Sequence, residues 1–115
     1  MGVKISLAVA VCVLCAAPAA LALAQKSTED GLRDCEKLSA VKFKGENPAF
    51  KKFAIMRADV EEDKFADKVG TQFVSTIYHG KAVYQAAGGK PADVRFICLR
   101  GGLGKGAVFV TTLPR

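Results

Sequence analysis

The sequence contains no tryptophan and only one histidine, His79. Tryptophan is a favoured platform for stacking sugar rings, and its absence argues against a carbohydrate-cleaving site. A single histidine cannot supply the several nitrogen ligands of a zinc site, and no G-x-S-x-G segment offers a nucleophile for it to activate. We therefore predict a protein that is not an enzyme, with no catalytic, cofactor-binding or metal-binding residues.

The sequence also lacks a phosphate-binding loop, although residues 96–106 (FICLRGGLGKG) are rich in glycine. A P-loop has the spacing G-x-x-x-x-G-K-[ST], but the residue five before Gly104 is leucine, and glycine follows Lys105 where a hydroxyl is required. The next segment has the pattern of a strand, so no helix N-terminus could receive a pyrophosphate. We predict that residues 101–106 are a hairpin loop.

Residues 1–24 have the pattern of a secretory signal peptide. They combine a positive charge at Lys4, an apolar run, and the small-residue sequence Ala-Leu-Ala at 22–24. The apolar run is also about long enough for an uncleaved membrane anchor, but Pro18 and the alanine-rich end favour cleavage. We expect a mature chain of residues 25–115 with no stable membrane span.

The mature chain would be one small basic domain. Without Lys4 it carries 16 basic and 11 acidic side chains, a net charge of +5. This excess favours attraction to anionic surfaces. No basic cluster is interleaved with aromatic residues as in a nucleic-acid groove, so we predict no nucleic-acid binding.

Cysteine usage predicts one disulfide. Of the four cysteines, Cys12 and Cys15 would leave with the signal peptide, and only Cys35 and Cys98 remain. An even pair in a small exported domain indicates a disulfide. On the chain-entropy model, closing a loop of this length stabilises the fold by about 4 kcal/mol.

The mature chain begins with a predicted helix over residues 28–40. Ser27 is a suitable N-cap residue, and acidic residues follow at the positive end of the helix dipole. Apolar positions recur every three residues and share one face: Leu32, Cys35 and Leu38.

The middle of the chain has a weaker pattern. Residues 42–52 form a predicted polar connection. The Asn47–Pro48 pair is typical of a helix start, whereas residues 53–60 alternate as in a strand, with the acidic residues 61–63 at its exposed end. The alternation favours a strand, but helix and strand both remain open for residues 48–69.

The second half of the chain predicts antiparallel strands. Residues 71–78 and 81–86 are rich in β-branched and aromatic residues, and His79–Gly80 between them predicts a two-residue turn. His79 would then lie at an exposed hairpin tip.

Two further strands are predicted, residues 93–100 and 107–113, after a flexible loop at 87–92. Because both faces of the first are partly apolar, we expect it to be a central strand. One of its faces carries Val94, Phe96 and Cys98.

Together these segments predict an α+β domain in which an N-terminal helix packs on an antiparallel meander of four to five strands. The Cys35–Cys98 bond would join the two layers. The export signal, the small size and residues 94–98 (VRFIC) resemble bacterial periplasmic inhibitors of lysozyme, which are small disulfide-containing β domains. The likeness covers these five residues and the general architecture, and that family's inhibitory loop has no counterpart in this chain.

We therefore expect a small periplasmic or secreted binding protein without catalytic apparatus. Its partner would be another envelope protein or an anionic envelope component. The alternative is an inhibitor of an extracytoplasmic hydrolase such as lysozyme, in which one loop, 87–92 or 101–106, plugs the enzyme's cleft.

Overall fold

The computed structural model describes residues 28–102 and 105–114. The predicted signal peptide, residues 1–24, and the predicted N-cap Ser27 lie outside the described residues. Residues Gly31–Arg115 form one compact unit. The sheet and most of the helix belong to this unit.

One helix and four strands make up the fold. Helix α1 occupies residues 28–46 and is followed by β1 (Phe50–Val69), β2 (Gln72–Ala86), β3 (Ala92–Arg100) and β4 (Ala107–Leu113). The strands form one antiparallel sheet in the order β1-β2-β3-β4. Because α1 packs on this sheet, the predicted α+β class and the predicted meander are confirmed.

A disulfide joins α1 to β3 and confirms the predicted pairing. Cys35 and Cys98 are both fully buried, and their Cα atoms lie 6.1 Å apart. Alternate residues of the strands point toward the helix and build the core around this bond. The buried apolar residues of this core are Leu32, Phe43, Phe53, Ile55, Tyr78, Ala82, Phe96 and Val110.

Helix α1 continues past the end predicted near Ala40, and β1 begins at Phe50. The predicted polar connection at 42–52 is therefore wrong except at residues 47–49. Ser39 and Phe43 are buried one and two turns after the disulfide and keep the same helix face on the sheet. The Phe43 ring lies 5.2 Å from the Phe53 ring of β1. This contact stabilises a final helical segment in which Phe43 is the one buried side chain.

The Asn47–Pro48 pair ends α1 and does not start a second helix. The Asn47 N–H donates to the Phe43 carbonyl (2.8 Å), and the Asn47 side-chain oxygen accepts from the Ala49 N–H (3.0 Å). Proline disfavours the helical conformation of the residue before it, so the chain turns here into β1.

Strand β1 includes the strand predicted at 53–60 and resolves the open segment 48–69 in favour of a strand. The acidic residues 61–63 are exposed, as predicted, but they lie within the strand and not at its end. Phe53 and Ile55 face the core. The sequence signal for β1 is weak, because only the first part of this long strand alternates between apolar and polar residues.

The hairpin turn predicted at His79–Gly80 is wrong, because β2 runs straight through both residues. A Cβ at position 80 would collide with the Asp59 carbonyl and lie 2.8 Å from the Val60 Cα of β1. The glycine therefore permits close approach of the neighbouring strand, next to an irregularity in the register. The β1–β2 turn is formed instead by Gly70–Thr71, with a positive φ of 63° at the glycine.

The predictions for the last part of the chain are confirmed. Strand β3 lies between β2 and β4, as expected of a central strand, and its residues Phe96 and Cys98 face the helix. Residues 101–106 connect β3 to β4, with a hydrogen bond of 3.1 Å from the Gly101 N–H to the Gly106 carbonyl. Leu103 and Gly104 of this loop lie outside the described residues.

Candidate binding site

The β1–β2 hairpin and the β3–β4 loop meet at one end of the sheet. The Ser75 hydroxyl of β2 donates to the Gly101 carbonyl of the loop (2.7 Å). On the helix side, Gly106 lies so close to Asp34 that a Cβ there would be 3.2 Å from the carboxylate. We define the hairpin end as residues 64–75, 101–102 and 105–106 together with Asp34.

An open groove of about 960 Å³ lies at the hairpin end, large enough for a small ligand or a peptide segment. The β1–β2 hairpin contributes Lys64, Phe73 and Ser75 to its lining, and Arg100 and Lys105 contribute from the end of β3 and the loop after it. Residues far apart in sequence thus form one concave surface. The sequence predicted the loop at 101–106 but contains no local signal for the groove.

The groove is electropositive. Lys64, Arg100 and Lys105 line it, whereas Asp34 is its one acidic lining residue. Among the described residues, these three cations make no ion pair with a carboxylate. Arg100 is half-buried, so its charge is less well solvated than that of the exposed lysines.

A buried hydroxyl lies beneath the helix near this groove. Tyr78 is fully buried, and its oxygen has no hydrogen-bond partner among the described residues. Burial raises the pKa of Tyr78 above its ordinary value, and the Glu62 charge adds to the rise. The nearby Arg100 guanidinium opposes it without forming a hydrogen bond of normal geometry.

The β1–β2 hairpin exposes three large apolar side chains near its turn. Phe65, Val69 and Phe73 expose 40%, 45% and 42% of their surface. Ala66, in an irregularity of the β1 register, has a φ of 53°, which is uncommon for a residue with a side chain. The sequence analysis predicted the turn at His79–Gly80 and missed this one. The signal that could have indicated it is Gly70, a glycine between two segments with strand-like composition.

His79 lies in the middle of β2 and not at a hairpin tip. Its Nε2 atom is 3.0 Å from an Asp63 carboxylate oxygen and 3.5 Å from one of Glu61. The cross-strand pairing of Glu61 with His79 brings these groups together. The sequence analysis did not predict this contact, because it placed His79 in a turn. Ser75 lies four residues from His79 along the strand, roughly 13 Å at the usual rise. Its hydroxyl is hydrogen-bonded to the Gly101 carbonyl.

The two loops predicted as alternative inhibitory elements lie at opposite ends of the sheet. The β2–β3 loop, predicted as 87–92, is held near the C-terminal end of α1 by a hydrogen bond from Ala87 N–H to Ala49 O (2.6 Å). The loop at 101–106 belongs to the hairpin end. Only the latter borders the groove.

Within the described part of the chain, no group of three or more metal-ligating side chains could hold an ion. No helix in residues 28–102 and 105–114 is long and apolar enough to cross a membrane. Comparison with family models, curated proteins and solved structures finds no match for this chain.

Proposed function

We propose that this chain is a small exported binding protein, periplasmic or secreted, that engages a partner through its hairpin end and has no enzymatic activity. The observation that carries the proposal is the set of large exposed apolar side chains on the β1–β2 hairpin. Isolated exposed apolar residues are ordinary on protein surfaces. Phe65, Val69 and Phe73 instead share one short hairpin beside an electropositive groove.

The geometry of the hairpin supports this proposal. Strand β2 pairs with β3 only from Thr76 onward, so the tip is paired with β1 alone. Large apolar side chains on a projecting element stay exposed unless a partner covers them. Binding would remove the three side chains from water and supply affinity.

The disulfide supports the exported location. Cys35–Cys98 is buried between helix and sheet, and structural disulfides persist in oxidising compartments such as the periplasm or the extracellular space. The excess of basic residues is compatible with a partner that carries negative charge.

Inhibition of an extracytoplasmic hydrolase, such as lysozyme, is the second candidate function. It is favoured because the start of the β3–β4 loop lies beside the β1–β2 hairpin, where the Ser75 hydroxyl donates to the Gly101 carbonyl, so both segments could contact one enzyme cleft. This candidate predicts that the purified chain slows the digestion of isolated cell walls by lysozyme. The first candidate does not require that effect.

The experiment is affinity capture from envelope and secreted extracts with the immobilised mature chain. The test variant combines Phe65→Ser with Phe73→Ser. The matched control is Val41→Ser, which removes a 74% exposed apolar side chain from α1. We expect a partner retained by the unaltered chain and by the control to be lost with the double variant.

Retention of the same partner by the double variant would contradict the hairpin end as the binding surface. Turnover of an ester, peptide or glycan by the purified chain would contradict a non-enzymatic role. Circular dichroism and the intact disulfide mass of each variant establish that it is folded.

A further inference from the structure

The half-buried guanidinium of Arg100, at the end of β3, favours the binding of a negatively charged group in the groove. A guanidinium partly removed from water is costly unless an anion pairs with it. Arg100 lines the groove and makes no ion pair in the part of the chain that the structure describes. Its planar group can bind a carboxylate through two parallel hydrogen bonds.

The surrounding charges strengthen this preference. Lys64 lies on β1 and Lys105 on the β3–β4 loop, so positive charge flanks the groove on both sides of Arg100. Asp34 lies at the helix side, against Gly106. With three cations and one carboxylate in its lining, the groove carries a net positive charge that attracts and orients an acidic group.

The groove also has an apolar side. The Phe73 ring is 42% exposed and lines the groove beside Ala66. A ligand that satisfies both sides needs an acidic group and an apolar group within a few ångströms of each other. Acidic polypeptides with interspersed apolar residues meet this requirement, whereas polyphosphates have no group to cover the ring.

We propose that the groove binds an acidic segment of a partner polypeptide, with one of its carboxylates on the Arg100 guanidinium and an apolar side chain on the Phe73 ring. This inference rests on the proposed function, because it specifies the chemistry of the partner at the hairpin end. Lys64 and Lys105 speed the encounter and stabilise neighbouring acidic residues of the segment.

The test measures binding of three labelled probes to the mature chain by fluorescence anisotropy. The probes are a peptide of Glu-Glu-Leu-Phe repeats, the matched peptide of Gln-Gln-Leu-Phe repeats, and inorganic polyphosphate. We expect the acidic peptide to bind best. Arg100→Gln should weaken its binding about tenfold, the effect of losing a charge-assisted pair.

Arg95→Gln is the matched control, because it removes the same charge from an exposed residue of the same strand that does not line the groove. We expect the control to change binding less than twofold or so, since a distant exposed charge is screened. Phe73→Ala should weaken the acidic peptide about fivefold and leave polyphosphate binding unchanged. Arg100→Lys, which keeps the charge but not the planar fork, should fall between Arg100→Gln and the unaltered chain.

Equal losses for Arg100→Gln and Arg95→Gln would overturn the proposal, because they would show a general charge effect. Polyphosphate binding as tight as that of the acidic peptide would overturn it in favour of an anionic polymer. Failure of this inference is distinguishable from failure of the proposed function. Capture that depends on Phe65 and Phe73 but not on Arg100 leaves the function standing and refutes the acidic segment.

Discussion

Lys42 of α1 donates a hydrogen bond of 2.7 Å from its Nζ atom to the carbonyl oxygen of Val110, on the edge strand β4. Its ammonium also lies 5.1 Å from the centre of the Phe109 ring. At the opposite edge, a carboxylate oxygen of Glu36 accepts from the Ile55 N–H of β1 (2.9 Å). The helix therefore covers backbone groups at both edges of the sheet, where unpaired strands otherwise promote association.

Lys42→Met should destabilise the fold by about 1 kcal/mol and increase self-association. The substitution keeps a long apolar stem but leaves the Val110 carbonyl without its donor and the β4 edge open. Denaturant unfolding measures the stability, and sedimentation at increasing concentration measures association. Lys37→Met, an exposed helix position, is the control, and equal behaviour of the two variants would refute this role of Lys42.

Replacing both disulfide cysteines, Cys35→Ala with Cys98→Ala, should lower the free energy of unfolding by about 4 kcal/mol. The bond spans 63 residues of sequence, so its loss restores much conformational freedom to the unfolded chain. The measurement is urea unfolding of the variant beside the reduced, unaltered protein, which should show a similar loss. A loss below about 1 kcal/mol would mean that the bond adds little to the stability of this fold.

Gly31→Ala should destabilise the protein by about 2 kcal/mol, although alanine is the better helix former. A Cβ at position 31 would overlap the hydroxyl of Tyr78 and lie 2.7 Å from its ring carbon Cζ, and such overpacking forces the core apart. Gly45→Ala is the matched control, because nothing lies within 4 Å of a Cβ there. We expect the control to stabilise the helix by about 0.5 kcal/mol.

The glycine prediction has a second test in the same contact. Removing the Tyr78 hydroxyl should recover part of the loss caused by Gly31→Ala, since the closest overlap is with that oxygen. Strict additivity of Gly31→Ala and Tyr78→Phe in a double-mutant cycle would contradict the contact.

Tyr78→Phe alone should leave the stability at neutral pH unchanged or raise it by about 1 kcal/mol. The hydroxyl is buried without a partner among the described residues, and an unsatisfied buried group is a cost that phenylalanine removes. Thermal and urea unfolding measure the effect. A loss of about 1 kcal/mol would instead show that the hydroxyl is satisfied in solution.

The unaltered protein should lose stability faster than Tyr78→Phe as the pH rises above about 10. Burial raises the pKa of Tyr78 in the folded state, so the unfolded chain releases this proton first and is favoured at high pH. The contribution is fully present below the ordinary tyrosine pKa and is lost as the pH rises toward the folded value. Identical slopes of stability against pH for the two proteins would contradict the raised pKa.

Local sequence patterns predicted an element correctly where the residue types in it are typical of only one kind of structure. The strand at 107–113 was predicted with its observed bounds, since β-branched residues between glycines and a proline are consistent with little else. The turn predicted at Gly80 is wrong because glycine is typical both of turns and of places where two strands approach closely. Only the position of β1, with the Asp59 carbonyl beside it, distinguishes the two.

The amino-acid sequence by itself determined the α+β class and the placement of β3 and β4, because periodicity is a local property. With Cys12 and Cys15 assigned to the expected signal peptide, it also predicted the Cys35–Cys98 pairing. The tertiary structure decided how far α1 continues past Ala40, the path of β2 through His79–Gly80, and the groove. Phe43 holds the last part of the helix through a contact with Phe53. The groove is lined by Asp34, Phe73 and Arg100. These residues are far apart in the sequence, and they come together only when the helix packs on the sheet.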